Sequence, residues 1–596
     1  MFAKLLTLTA LVVVCGTATA TVETDNGAFG LRVVRDSRAA PKANSAVAPA
    51  HRALEVSTGK DGTPCAVCTL LIGVLEQYIE VHNKTAEETL EKICDLFPNK
   101  TKDACELAVK VFGPKIIDNL DKKFSGDRIC QELNICSGQC RLFPESTADL
   151  AFPFVPSDSP SPLTDLPAIC NISVFKPICD AISRFGNDNE PLDDHDGDGF
   201  SPVATFRGSD WRGKDCNDYK SEYHPGALPI DSDRDVDSNC NGIFGVASDG
   251  TPYEEKFCSD TARNGVVVLG DSASAHFHIP PNYLTAANID GTTFENLLTV
   301  AENEADWPMF SATTGFDTND TRFVHDITGS VNSTYLTLRN RNRCIHRDYQ
   351  NIAVNGARSG AMNDHIQQSM SRNQSTDLPV TLMYALIGND VCNGHIDDYV
   401  NHMTTPEDMK TNVLGTLDYL EKTLPKGSHV TMMGLADGMI LFDAMHDKIH
   451  PIGQWRQDVT YANVYDYLNC LEISPCGGWM TTNATLRNLT QTRANELSMV
   501  IKDIVDNATA SSAYSNFDVF YFPNPIVDIL NEWVAKGGEP WQLIEPVDGF
   551  HPNQFTQPLV VEKYFQWAEK NGYPLIPEIN PNNAAIEAQF GDQGGY

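Results

Sequence analysis

What this 596-residue chain lacks first is positive charge: 44 Lys and Arg face 79 Asp and Glu, a formal net charge of −35. At neutral pH nucleic acid and anionic membrane surfaces repel such a chain, so no nucleic-acid partner is expected. Protonation of carboxylates and of the 15 histidines in an acidic vesicle eases that repulsion. Long apolar runs are missing too. After the first twenty residues none is long enough to span a bilayer, so no transmembrane anchor is expected. Residues 1–20 themselves have Lys4 ahead of an apolar stretch from Leu5 to Val14 and a small-x-small end at Ala18-Thr19-Ala20, the form of a signal peptide. The expected product is soluble and secreted, with endosomal or lysosomal vesicles as the acidic alternative.

Cysteine is not scarce. Of 17 residues Cys15 leaves with the leader, and the remaining even number suits disulfides in an oxidising compartment. Nine glycosylation sequons agree, at Asn83, Asn99, Asn171, Asn319, Asn332, Asn373, Asn483, Asn488 and Asn507. The length calls for two to four domains. Residues 21–58 have no hydrophobic period and are rich in Ala, Ser and Pro, which fits a propeptide or spacer.

In 59–141 six cysteines, Cys65, Cys68, Cys94, Cys105, Cys130 and Cys136, punctuate apolar residues at helical spacing. A zinc site is disfavoured because no second cysteine pair at metal spacing lies nearby. The layout resembles the saposin B family. That resemblance implies the nested pairing Cys65–Cys136, Cys68–Cys130 and Cys94–Cys105, and lipid binding through an apolar face; a merely structural helical cap is the other reading. Residues 142–168 are crowded with Pro, Ser and Asp, as in an exposed, cleavable linker. Cys140, outside the six, is a candidate tether across a cut there.

In 169–258 carboxylates alternate along Asp194-His195-Asp196-Gly197-Asp198-Gly199-Phe200, the spacing of a calcium loop, and two echoes follow. The candidate ligands are Asp194, Asp196, Asp198, Phe200, Asp215, Asn217, Asp218, Glu222, Asp235, Asp237, Asn239 and Asn241. An EF-hand is disfavoured, since the twelfth position from Asp194 is Thr205 rather than Glu. The segment resembles the calcium repeats of thrombospondin type 3; because its acidic repeats precede the blocks described next, which need no metal, calcium is expected to be structural.

From 259 to 596 apolar runs (Val266–Leu269, Val380–Leu386, Val430–Met433, Val519–Phe522) alternate with amphipathic stretches such as Val413–Leu424 and Ala494–Val505. The fold class expected is α/β, a parallel sheet with helices on both faces and functional loops at the strand ends. Gly270-Asp271-Ser272 ends the first run, presenting a hydroxyl at a sheet edge. Asp548-Gly549-Phe550-His551 sets a carboxylate three residues before an imidazole, the partners a serine needs to become a nucleophile. Between them lie Asn355-Gly356-Ala357-Arg358-Ser359-Gly360 and Gly388-Asn389-Asp390. These four blocks, in this order, resemble the GDSL, or SGNH, esterases and lipases.

By that resemblance Ser272, Asp548 and His551 are catalytic, and Ser272, Gly360 and Asn389 form the oxyanion hole, with Gly356 competing for the place of Gly360. Asp271 and Asp390 read as structural, tying neighbouring loops. Cys470 and Cys476 are expected to close a small loop. The cluster Arg339, Arg341, Arg343, His346 and Arg347 suits either substrate phosphates or nearby acids. The order of all these parts is similar to a family of secreted saposin-linked lipases. It implies removal of secondary acyl chains from lipid A of bacterial lipopolysaccharide, phospholipase-like activity, and maturation into a disulfide-linked small and large subunit. A general lipid esterase, or a lipid carrier without catalysis, are the alternatives.

Overall fold

The computed structural model describes residues 62–152 and 189–596, apart from 98, 139, 205 and 319–321. The signal peptide, the propeptide, most of the linker and the sequons at Asn171 and Asn319 lie outside the described residues. Asn83, Asn373, Asn483, Asn488 and Asn507 are exposed.

Four helices open the described chain: α1 (Gly62–His82), α2 (Ala86–Ile93), α3 (Asn99–Asp121) and α4 (Gly126–Glu132). Thr85 caps α2 through a reciprocal pair with Glu88, satisfying amides that a helix start leaves free. Cys65–Cys136, Cys68–Cys130 and Cys94–Cys105 are the disulfides, as the family layout implied. By length and composition α1 is apolar enough to cross a membrane, yet 67% of its most apolar window is buried. Much of that burial is against the rest of the chain. Leu70, Leu75 and Ile129 share one core with Ile452, Leu468 and Leu471. Gln77 donates to the Ile452 carbonyl at 2.6 Å, and Arg456 pairs with Glu76 at 3.2 Å and Glu80 at 2.6 Å.

A disulfide from Cys140 to Cys470 closes this junction, and a second joins Cys392 to Cys476. The expected Cys470–Cys476 loop is therefore corrected. Cys470 ends the helix Tyr461–Cys470, whose Tyr467 hydroxyl lies 3.6 Å from Cys65 of α1, whereas Cys476 packs beside Tyr399. Closeness in sequence was the wrong guide because the two sulfurs serve different packing surfaces.

Downstream, β1 (Gly265–Gly270), β2 (Tyr349–Asn351), β3 (Val380–Ala385), β4 (Ser428–Met433) and β5 (Phe517–Phe522) form one parallel sheet in the order β2-β1-β3-β4-β5. Alternate residues face opposite cores, as the two-residue period of a strand requires. Val267, Leu269, Leu382 and Tyr384 pack with Val413 and Leu417 of helix Pro406–Thr423 and Leu497 and Ile501 of helix Ala484–Ser511. Val268, Met383 and Ala385 face Tyr564 and Ala568 of helix Thr556–Asn571. The chain leaves β1 for β2 on one side and returns to β3 on the other, so strand order reverses there and a crevice opens at the C-terminal ends.

Within the chain the basic cluster bonds chiefly to backbone carbonyls. Arg341 donates to the Pro577 carbonyl, Arg343 to that of Gly591, and Arg347 to those of Gly594 and Gly595. It binds the last stretch of chain, and Arg343 adds an acid, Glu587, at 3.6 Å.

Candidate active site

Ser272 begins the short helix Ser272–Ala275 directly after β1, with Asp271 as its cap. Its Oγ lies 2.7 Å from Nε2 of His551, and Nδ1 of His551 lies 2.5 Å from Oδ2 of Asp548. Because an ionised carboxylate only accepts, Nδ1 carries the proton and Nε2 is left to accept from the serine hydroxyl. The other oxygen of Asp548 accepts the amides of Phe550 and His551, so the carboxylate is fixed from both sides.

The loop carrying these two residues is pinned by groups the sequence motifs did not flag. Tyr465 donates to the Gly549 carbonyl at 2.7 Å, Tyr461 to that of Pro546, and His450 to that of Val547. Burial pushes the His450 pKa down to about 4, so the ring is neutral and can accept the Ile452 amide on Nδ1. Gly549 has φ +62°, and a Cβ there would meet the Tyr465 hydroxyl at 2.6 Å. Only glycine fits.

Asp271 and Asp390 tie loops, as expected. Asp271 accepts the Ile387 and Ala273 amides, and Asp390 accepts Ser359 and Thr404. Burial raises the Asp271 pKa to about 6 against the pull of those amides.

Asn389, half-buried, lines a cleft beside Ser272 and His551. Counting the space at its mouth, the cleft encloses about 1110 Å³, and its walls are mostly apolar, including Met433, Leu441, Leu530, Leu543 and Val560. Gly360 is not among its lining residues. It sits in the helix Ser359–Asp364, where a Cβ would approach only Asn412, on helix Pro406–Thr423. Gly356 does not line the cleft either, but it lies in the turn after Val354, whose amide bonds the Gly270 carbonyl next to Ser272. Its φ is +77° and no atom stands within 4 Å of a Cβ placed there.

The acidic segment gathers its carboxylates into two groups that share one residue. Candidate ligand oxygens of Asp194, Asp196 and Asp218 lie within 4.8 Å of one another, as do those of Asp196, Asp198 and Asp215. One buried oxygen each on Asp196, Asp198 and Asp215 has no hydrogen-bond partner. Burial drives the Asp198 pKa up to about 8 and that of Asp215 to about 6. Oxygens so placed fit a hard cation, which removes the repulsion. Phe200 is buried and Asn217 borders Asp215, while Glu222 is exposed and outside both groups.

The later echo repeats the local turn. Asp237 accepts the Asn241 and Gly242 amides, just as Asp194 accepts those of Gly197 and Gly199. Asp235 is exposed there. Asp233 and Glu254, not singled out by spacing, supply the buried carboxylates, Glu254 taking hydrogen bonds from Asn239 and Asn241.

A saposin-like domain model matches residues 64–179, and a GDSL-like lipase/acylhydrolase model matches 266–563. The acyloxyacyl hydrolase of Oryctolagus cuniculus is 42% identical over 93% of this chain and 97% of its own length. That of Homo sapiens is 41% identical over 93% and 96%. Saposin-C of Cavia porcellus is 25% identical over 13% of the chain and 96% of its own length. These matches and the fold make the chain a carboxylic-ester hydrolase acting on lipids. It belongs to the acyloxyacyl hydrolase family.

Proposed function

We propose that the chain removes secondary fatty acyl chains from lipid A of lipopolysaccharide through an acyl-enzyme on Ser272. The observation that carries this reading is the hydrogen-bonded series Asp548–His551–Ser272 opening onto an apolar cleft, in a chain whose relatives are named for the acyloxyacyl ester. Ser272 Oγ attacks the ester carbonyl as His551 takes its proton. His551 then returns that proton to the leaving alkoxide, and water repeats the sequence on the acyl-serine. Asp548 holds the imidazole in the tautomer this needs. Apolar walls take the acyl chain out of water, a gain of about 0.8 kcal/mol per buried CH₂.

The oxyanion is met by the Asn389 side chain and the Ser272 amide. We assign the glycine amide to Gly356 rather than Gly360, because Gly356 follows Val354, whose amide bonds the Gly270 carbonyl near Ser272, while Gly360 lies within the helix Ser359–Asp364. Calcium is held by Asp194, Asp196, Asp198, Asp215 and Asp218, where it neutralises a segment with little core of its own; the ester chemistry uses no metal. The helical unit passes lipid from an aggregate to the cleft. Export, passage through acidic vesicles, and cutting of the linker into disulfide-joined subunits complete the reading.

Mass spectrometry of lipopolysaccharide and of phospholipid, each incubated with wild-type protein and with Ser272→Ala, tests it. Loss of secondary acyl chains from lipid A by the wild type alone is the expected result. Loss from phospholipid only makes the chain a phospholipase of the same fold. Equal release by Ser272→Ala overturns the mechanism.

A further inference from the structure

His278 stands six residues after Ser272, and Glu545 six before His551. The two meet in the interior. Nδ1 of His278 is 2.7 Å from Oε2 of Glu545, and its Nε2 is 2.7 Å from the Asp326 carbonyl oxygen. A carbonyl only accepts, so Nε2 carries a proton, and one further proton is shared between Nδ1 and the carboxylate. Burial alone would lower the His278 pKa, but the facing Glu545 carboxylate, with Asp326 and the more distant Asp548, turns the shift upward.

Both partners are fixed at their backbones. The His278 amide bonds the Ala305 carbonyl, and its own carbonyl accepts the Trp307 indole. The Glu545 amide bonds the His551 carbonyl at 2.8 Å, and its carbonyl accepts the Gly549 amide at 2.9 Å. Glu545 thus closes the turn that carries Asp548 and His551. Its other carboxylate oxygen is buried without a hydrogen-bond partner, so the side chain is held by His278. Beside the pair, the ring of Phe277 lies 4.8 Å from that of His551.

We propose that the His278–Glu545 pair is a positioning device for His551, fixing the loop of the base against the segment of the nucleophile. Neither residue lines the cleft, so neither is placed to touch substrate. The device bridges two segments that only the fold brings together, and it acts through the Nε2–Oγ distance. This rests on the reading of Ser272 and His551 given above.

The test is steady-state hydrolysis of a short soluble p-nitrophenyl ester by wild type, Glu545→Ala, Glu545→Gln and Ser272→Ala, with active serines in the first three counted by fluorophosphonate titration. Glu545→Ala is expected to lower kcat per titrated serine at least about ten-fold while KM moves less than about two-fold, since a misplaced base slows chemistry rather than binding. Glu545→Gln keeps one hydrogen bond to Nδ1 and is expected to recover kcat to within about three-fold of wild type. Should Glu545→Ala not fold, His278→Leu, which keeps no bond, and His278→Gln, which keeps one, take over with the same expectations. Wild-type kcat per serine in the bond-less variant, or equal losses in both, overturns the role of the pair while an inactive Ser272→Ala leaves the nucleophile standing. Activity retained by Ser272→Ala overturns the reading beneath it.

Discussion

Cys140 and Cys470 lie 330 residues apart in sequence and are joined by a disulfide with Cα atoms 5.7 Å apart. The bond spans the linker and fastens the helical unit to the hydrolase. Cleavage anywhere in 153–168 should therefore leave one particle on a non-reducing gel and two chains after reduction. Two separate chains without reductant, from cleaved protein, would contradict the bond.

The two glycines proposed for the oxyanion can be told apart. Gly360→Ala places a methyl in ordinary contact with Asn412 inside a helix, so activity should hold and stability change by less than about 1 kcal/mol. Gly356→Ala forces a side chain to φ +77°, which costs about 1 kcal/mol or more and should disturb the donor. Kinetics of the two folded variants decide, and a large loss confined to Gly360→Ala reverses the assignment.

Asn389→Ala should reduce kcat by about 10²–10³-fold, the effect of one lost oxyanion donor. Ser272→Ala and His551→Ala should each cost more, and their combination little beyond either, because they act as one unit. Rates of acyl release for all four proteins check the pattern; additive losses would count against it.

Calcium removal should lower the melting temperature, and calorimetric titration should return more than one ion per chain. Asp198→Asn and Asp215→Asn should each weaken binding, since their unpaired buried oxygens are the sites a cation would satisfy. A melting curve unmoved by exhaustive chelation would remove calcium from the structure.

Asp127 gives the helical unit a pH dependence of defined sign. Burial raises its pKa from 3.8 to about 6, although the Leu142 and Phe143 amides oppose this. Since the folded value lies above the unfolded one, its stabilisation is complete below pH 3.8 and is lost as pH rises through about 6. The ceiling is about 3 kcal/mol, from roughly two units at 1.36 kcal/mol each. Unfolding free energies measured between pH 4 and 7 should fall with pH in the wild type and fall less steeply in Asp127→Asn, since Asp271 and Asp215, also raised to about 6, keep their own share of the slope. Identical slopes would discard this account.

Much of this was legible in the chain because the features are local. Strands β1, β3, β4 and β5 announce themselves as apolar runs, and the blocks around Ser272, Asn389 and His551 sit just beyond strand ends or in a marked turn. Strand β2 was not legible: Tyr349–Asn351 is three residues long and carries no apolar run. Gly356 and Gly360 look alike in sequence, and only the helix begun at Ser359 separates them. The partner of Cys470 depends on a contact between distant segments, which no spacing encodes. The same holds for His278 and Glu545, which are ordinary residues until the fold joins them.

Helix α1 has one further consequence. Part of its apolar surface shares a core with Ile452, Leu468 and Leu471, residues that belong to the hydrolase. The helical unit is thus not a detachable part in the manner of a freestanding lipid-binding peptide. Separated from its partner it would be a sticky, self-associating fragment, and the hydrolase would keep a greasy scar where it had been.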